Sequence, residues 1–265
     1  MARTRHCLVF ESFGLTAEVA SDDREVFDSL PAALPPGWRP GRGEAVARFE
    51  LFADGRITCD GDDVAHTETG SDATLQKLGA VMRHHLAEHA PGHVFIHAGV
   101  VCAGGTAIVI PGRSHSGKTT LVAALVRAGA SYCSDEYAVV DAAGLIEPYP
   151  KPLSVRVPGA GLLGVPTPVP APQIATQPIR AGLIVLTSYH AESQWSPKSL
   201  TRGEGAFALL EHTLAARSRP GAALRAVCQL SREASVISGR RGEASAVADA
   251  LLAFTGESGS NQQFS

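Results

Sequence analysis

Apolar residues recur along this chain at two spacings, alternating in some stretches and helical in others, and the changes between them outline its organisation. The opening CLVFESFGLTAEVAS reads as strand-rich. LPAALPPGWRPGRGE then interrupts regular structure, because each proline fixes φ and lacks a backbone donor. In ARFELFADGRITCDG, Phe49, Leu51 and Phe52 lead into the tight-turn pair Asp54-Gly55, and Ile57 and Cys59 follow, which is the pattern of a hairpin. Residues 1–70 are therefore expected to form a small β-rich region. From Asp72 to His89 the residues Leu75, Leu78, Val81, Met82 and Leu86 fall at helical spacing, with Ser71 or Asp72 as cap and Pro91-Gly92 as stop. This predicts a connecting helix within residues 71–92.

Residues 93–255 read as one α/β domain. VFIHAGVVCAGGTAIVIPG is two short β-rich runs joined by Ala103-Gly104-Gly105, KTTLVAALVRAGA is a helix former closed by Gly129, and SYCSDEYAVVDAAG returns to extended structure. LIEPYPKPLSVRV continues extended, Pro158 to Pro172 is rich in Pro and Gly and predicts an irregular, mobile loop, and AGLIVLTSY is a buried strand. Helices follow around Phe207, Leu210 and Leu214, around Leu224 and Val227, and around Val247, Leu251 and Phe254, with a strand at Ser235 to Ser238. Residues 256–265, GESGSNQQFS, predict a disordered tail. No internal repeat is visible.

Composition narrows the partners. At 265 residues and 45% apolar, the chain can bury a substantial core, and a net charge of -3 gives no broad basic field for nucleic acid or an anionic membrane. Cys7, Cys59, Cys102, Cys133 and Cys228 are scattered without a Cys-x-x-Cys pair, so neither a disulfide framework nor a thiolate metal knot is indicated. A reducing, cytoplasmic setting is expected. The N-terminus has only a three-residue apolar run, and no segment approaches ~18 consecutive apolar residues, so neither a signal peptide nor a membrane span is read.

Candidate chemistry concentrates in PGRSHSGKTT. Gly112, four residues, then Gly117-Lys118-Thr119 is the pattern of a loop whose backbone N–H groups wrap phosphate oxygens. The glycines are expected to take conformations closed to other residues, Lys118 to bring a mobile charge, Thr119 to offer a hydroxyl to Mg²⁺, and the following helix to add its positive dipole end. The candidate nucleotide cradle is thus Gly112, Arg113, Ser114, His115, Ser116, Gly117, Lys118, Thr119 and Thr120. Asp135 and Glu136 follow in YCSDEYAVV. As neighbours on a strand they should face opposite ways, one holding Mg²⁺ and the other accepting a proton from an incoming hydroxyl. His97 ends HVFIH near the same sheet edge. His85, His89, His93 and His97 recur every four residues, but Pro91-Gly92 breaks the helix that would align them, so no zinc site is expected.

Together, FIHAGVV, IVIPGRSHSGKTT and GASYCSDEY resemble the HPr serine kinase family, a phosphate-loop lineage akin to phosphoenolpyruvate carboxykinase. The resemblance covers roughly residues 93 to 255 and is specific in those three motifs. It implies a P-loop α/β kinase domain preceded by the small β-rich region. It further implies ATP and Mg²⁺ as cofactors, Glu136 as base, Asp135 as its helper or a magnesium partner, Lys118 and Thr119 as phosphate and Mg²⁺ holders, and His97 in the catalytic site. This sequence departs from the family in Arg113 and His115 within the loop, in Asp-Glu for Asp-Asp, and in Ser154 for an acid linked to phosphate removal, while Arg156 is kept. Phosphatase activity is therefore not implied. FESFGLTAEVAS and PYPKPLSVR are more similar to the smaller relatives found beside peptide-tailoring enzymes such as those of lasso-peptide clusters. That implies a peptide or protein acceptor bearing a serine hydroxyl, and the family's ring assemblies raise a homo-oligomer as an expectation. The Pro158 to Pro172 loop could close over the acceptor or simply connect. A small-molecule alcohol kinase and a nucleotide-dependent switch remain alternatives, the second opposed by the paired acids.

Overall fold

The protein is described here by a computed structural model, over residues 5–67, 71–113, 116–155 and 165–260. It divides into two compact units, Met1–Gly92 and His93–Ser265.

In the first unit, β1 (His6–Ser12) and β2 (Leu15–Ser21) form a hairpin turning at Phe13 and Gly14, with φ of 48° and 75°. Both turn residues lie in the left-handed region that a two-residue hairpin demands. Helix α1 (Arg24–Ser29) starts on Asp23, whose carboxylate accepts from the backbone N–H groups of Glu25 and Val26. Then come β3 (Arg39–Pro40), β4 (Ala47–Leu51), β5 (Arg56–Cys59), β6 (Asp62–His66) and α2 (Ser71–His89). The sheet order is β3-β1-β2-β4-β5-β6, antiparallel except for the parallel pair β2 and β4. The expected hairpin is β4 and β5, turning at Gly55 with φ 86°. Strand β6 was not foreseen, because its sequence DDVAH lies at the sheet edge with four exposed positions and carries no apolar alternation. Leu78, Met82 and Leu86 of α2 are buried, which accounts for the helical spacing.

The second unit contains β7 (Val94–Ala103), β8 (Thr106–Pro111), α3 (Lys118–Arg127), β9 (Ser131–Ser134), β10 (Tyr137–Val140), β11 (Ile146–Glu147), β12 (Leu153–Val155) and β13 (Val165–Thr167). It continues with β14 (Ala181–Tyr189), β15 (Lys198–Ser199), α4 (Arg202–Leu210), α5 (Pro220–Glu233), β16 (Ser235–Arg241) and α6 (Ala244–Ser260). Its main sheet runs β11-β10-β7-β8-β14-β16-β15, with β9 also paired to β7. Strands β8, β14 and β16 are parallel to one another, whereas β7 is antiparallel to β8, β9 and β10. Both faces are covered. Ile96, Ala98 and Val100 of β7 pack with Leu209 of α4 and Val227 and Leu230 of α5, while Val101 packs with Leu121, Val122 and Leu125 of α3 and Val247 and Leu251 of α6. Each fully buried Val, Leu or Ile side chain here contributes about 1.5–3 kcal/mol. The fold is mixed α/β.

Three stretches differ from expectation. Within Pro158 to Pro172, residues 165–167 are a strand antiparallel to β12, Val155 opposite Val165, and Ala171–Gln173 is a 3-10 turn. The β-branched Thr167 suits a pleated surface better than the surrounding prolines suggest. Residues 156–164, with Arg156 and the rest of that loop, lie outside the described residues. Helix α6 runs to Ser260, into the stretch read as tail, since an established helix gains one hydrogen bond per added residue; residues 261–265 lie outside the described ones. Among the described residues, no helix is long and apolar enough to cross a membrane.

Candidate functional site

Strand β7 is the axis of the site, because its neighbours on both edges leave it at the same level. On one edge β8 pairs as far as Pro111 opposite Ala98; the Gly112 N–H still donates to the His97 carbonyl at 3.2 Å, and the chain then departs toward Gly117 and the start of α3. The vacated edge is taken by the segment after α4: the His97 N–H donates to the His212 carbonyl at 2.8 Å, and Ile96 bridges Thr213. On the other edge, β9 ends with Ser134 opposite Val100 and β10 begins with Tyr137 opposite His97. Asp135 and Glu136 form the bend between them. This corrects the expectation that the two acids alternate on one strand: the Ser134 hydroxyl accepts from the N–H groups of Glu136 (3.1 Å) and Tyr137 (3.0 Å) and holds the chain in a local turn instead.

The start of α3 is built for close approach. Gly117 caps it at φ 82° with no side chain to occupy the first-turn amides, whereas α1 and α4 are closed by Asp23 and Thr201. Gly112, expected to need an unusual backbone, does not have a positive φ. What it provides is room, since a Cβ there would come within 2.7 Å of Ser116 Oγ. Gly99 lets α3 sit directly on β7, as an added Cβ would stand 2.5 Å from Val122 Cγ2 and 3.9 Å from Lys118 Cβ. Lys118 is only 7% exposed, and its Nζ donates to the carbonyls of Gly112 (2.6 Å) and Arg113 (2.7 Å). Burial lowers its pKa to about 8, with the nearby Asp135 opposing that fall. Ser116 Oγ is buried and makes no hydrogen bond among the described residues. Arg113 and Thr120 are exposed, and Ser114 and His115 lie outside the described residues.

The two acids take different partners. Asp135, 7% exposed, accepts from Thr119 Oγ1 through Oδ2 at 3.4 Å, and the Tyr132 hydroxyl lies 3.2 Å from its Oδ1. That hydroxyl is also 2.5 Å from the Lys151 carbonyl, and burial raises its pKa, so the phenol stays protonated. Glu136 is half-buried, with Oε2 3.4 Å from Lys151 Nζ. A hydroxyl and a carboxylate oxygen held this close suit a hard cation that keeps most of its coordination for water and phosphate. Among the described residues no group of three or more His, Cys, Asp or Glu side chains could hold a metal. The four-residue histidine spacing resolves otherwise: His85 stacks on His89 at 4.2 Å, His93 Nε2 is 3.2 Å from Glu147, and His97 lies on β7.

His97 gathers the neighbourhood. Burial first, then Lys118, lowers its pKa to about 4, Glu136 acts in the opposite sense, and His212 and Lys151 add to the fall. Its imidazole is therefore neutral at pH 7. The predicted His97, Lys118, Thr119, Asp135 and Glu136 are thus brought into one place.

Sequence reading missed four side chains there. Lys151 and Tyr132 brace the acids. His212 reaches the site through sheet pairing. Arg241, at the end of β16 and 2% exposed, donates to the carbonyls of Gly117 and Gly242, both at 3.0 Å, while its Nε has no partner among the described residues. Lys151 carries a faint signal, a lone lysine between Pro150 and Pro152 whose backbone is stiff.

No family model matches the chain, and no curated protein matches it. Among solved structures, the HPr(Ser) kinase/phosphatase from Coxiella burnetii is similar over 60% of this chain and 93% of its own, at 11% sequence identity and a TM-score of 0.31. A likeness that slight carries no argument for fold, chemistry or partners.

Proposed function

We propose that this chain is a phosphotransferase that uses ATP and Mg²⁺ to phosphorylate a serine-type hydroxyl of a peptide or protein. The observation that carries the reading is the meeting of the Lys118 loop and the Asp135–Glu136 bend at His97, with Thr119 Oγ1 and Asp135 Oδ2 3.4 Å apart. The site also fits a phosphate group. Room at Gly112, the uncapped start of α3, and the buried Ser116 hydroxyl, unbonded among the described residues, are features an anion would complete. Lys118 would exchange its two carbonyl partners for phosphate oxygens, and Thr119 and Asp135 would hold Mg²⁺, which supplies charge neutralisation on the phosphates.

Glu136 takes the acceptor's hydroxyl proton as that oxygen bonds to the terminal phosphorus and the bond to the departing diphosphate oxygen breaks. Lys151 holds the Glu136 carboxylate in place, and neutral His97 supplies a hydrogen-bonding group without competing for the charge of Lys118. Catalysis is then chiefly positioning and charge neutralisation.

The test incubates the full chain with ATP labelled in its terminal phosphate, Mg²⁺, and serine-bearing peptides beside small alcohols. Label should move to a peptide, and Glu136→Gln should slow that transfer by about 10²–10⁴-fold. Label appearing only as free phosphate, at a rate unchanged in Glu136→Gln, would remove the kinase reading; transfer to a small alcohol alone would replace its acceptor.

A further inference from the structure

His212 lies between α4 and the 3-10 turn Leu214–Ala216, where nothing in the local sequence suggests chemistry. Its position is set by pairing. With Ile96 bridging Thr213 antiparallel, and the His97 N–H bonded to the His212 carbonyl at 2.8 Å, His212 is the residue that lies beside His97 on that edge of β7. Tyr137 is opposite His97 on the other edge and Thr213 is opposite Ile96, so His97 stands in a row between His212 and Tyr137, on the face of β7 that Ile96 and Thr213 do not use. Directly opposed residues point to the same face.

That face is the one carrying α3. Gly99, two residues along β7 from His97, comes within 3.9 Å of Lys118 Cβ at its virtual Cβ position. The two ends of the row differ in charge. Toward Tyr137 stand Glu136 and Lys151; toward His212 stand Lys118 and Arg113, with exposed Glu211 acting on that imidazole in the opposite sense. The chain leaves β8 at the His212 end, where the Gly112 N–H donates to the His97 carbonyl.

We propose that His212 is a contact residue for the terminal phosphate of a bound nucleoside triphosphate, its imidazole donating to an oxygen that a diphosphate lacks. The proposal rests on the nucleotide reading above and adds to it a device for telling triphosphate from diphosphate. Burial, Lys118 and Arg113 all disfavour the imidazolium, so the ring presents one neutral N–H donor among cations that attract the same anion. Glu136, at the far end of the row, is left to the incoming alcohol.

Two measurements on the full chain test this. Histidine-labelled protein is titrated in the NMR spectrometer with a non-hydrolysable ATP analogue and, separately, with ADP, each with Mg²⁺; the His212 ring resonance, assigned with His212→Gln, should move with the triphosphate and stay nearly still with the diphosphate. By calorimetry, His212→Ala should lose about tenfold of the triphosphate-over-diphosphate preference, the size of one hydrogen bond to a charged group, with ADP affinity within about twofold of wild type, and His212→Gln should recover part of the preference. A triphosphate that binds without moving the His212 resonance, or an unchanged preference in His212→Ala, overturns the proposal while leaving the nucleotide reading intact. If neither nucleotide binds the wild-type chain, the nucleotide reading falls and this contact with it. Should His212→Ala fail to fold, the wild-type titration alone decides.

Discussion

The two units solve the same problem, a mixed sheet covered by helices, and differ in where they place charge. The first offers space: clefts of about 400 Å³, lined by residues such as Asp23, Phe52 and Thr74, and about 380 Å³, lined by residues such as Cys59, Lys77 and His84. Its ions pair on the surface, Arg24 with Asp28 at 3.1 Å, Arg48 with Glu18 at 2.8 Å and Arg56 with Asp63 at 3.2 Å, and exposed pairs of this kind contribute about 0–1 kcal/mol. The second unit instead buries Lys118, Asp135 and Arg241 to 7%, 7% and 2% exposure at a level where β7 loses regular pairing on both edges. Burying charge is costly, so a fold that does so beside a broken ladder has a use for the field it creates. Room alone does not mark the site.

The comparison breaks most readily at Lys118. Lys118→Ala should weaken Mg-nucleotide binding by about 100-fold or more, as expected for loss of a charge-assisted phosphate contact, whereas Lys77→Ala in the first unit's cleft should leave it within about twofold. Equal losses in calorimetry would erase the distinction between the units. Next in size is Gly99→Val, whose Cβ has no room beneath Val122; thermal unfolding should show a loss of about 1–3 kcal/mol, together with weakened nucleotide binding as the first turn of α3 is pushed off β7. Arg241→Met should cost about tenfold in nucleotide affinity, because the Gly117 carbonyl loses the guanidinium that steadies it, and Arg241→Lys should recover only part, lacking the fork.

Smaller still, Asp23→Ala should lower stability by about 1 kcal/mol through loss of the α1 cap and leave nucleotide affinity unchanged. The gentlest probe is pH. His97 titrates near 4 in the folded chain against 6.5 when free, so between those values the unfolded chain binds a proton that the native one excludes, and stability falls as pH drops through that window. Melting at pH 7 and pH 5 should show part of that fall vanish in His97→Gln. Lys118 has the same sign between about 8 and 10.5, where its contribution to stability rises with pH, while affinity for an anion weakens as its charge is lost.

Much of this neighbourhood could be read from the chain, because strand, loop, helix and returning strand are local and follow one another from Val94 to Ser134. Lys118, Thr119 and the acids are spaced by that order, so their convergence follows from it. What escaped reading depends on pairing between distant segments. His212 is placed by β7, Arg241 by β16 running beside β14, and Lys151 by the Tyr132 hydroxyl on its carbonyl. The acids' bend was also misjudged as strand, since alternation cannot reveal a serine that caps two successive amides. In the first unit, α1 hides in a stretch with no buried residue, so no apolar stripe announces it.

The bend at Asp135 and Glu136 is clamped between two short strands that are both registered to β7. Deleting one residue between Ser134 and Tyr137 therefore acts differently than in a free loop: it either draws on the bulge at Cys133, the extra residue between Ser134 and Tyr132, or slips β9 or β10 by one and turns its inward side chains outward. Lengthening an acid's arm leaves that spacing untouched. In this part of the molecule the count of residues is a stricter constraint than their size.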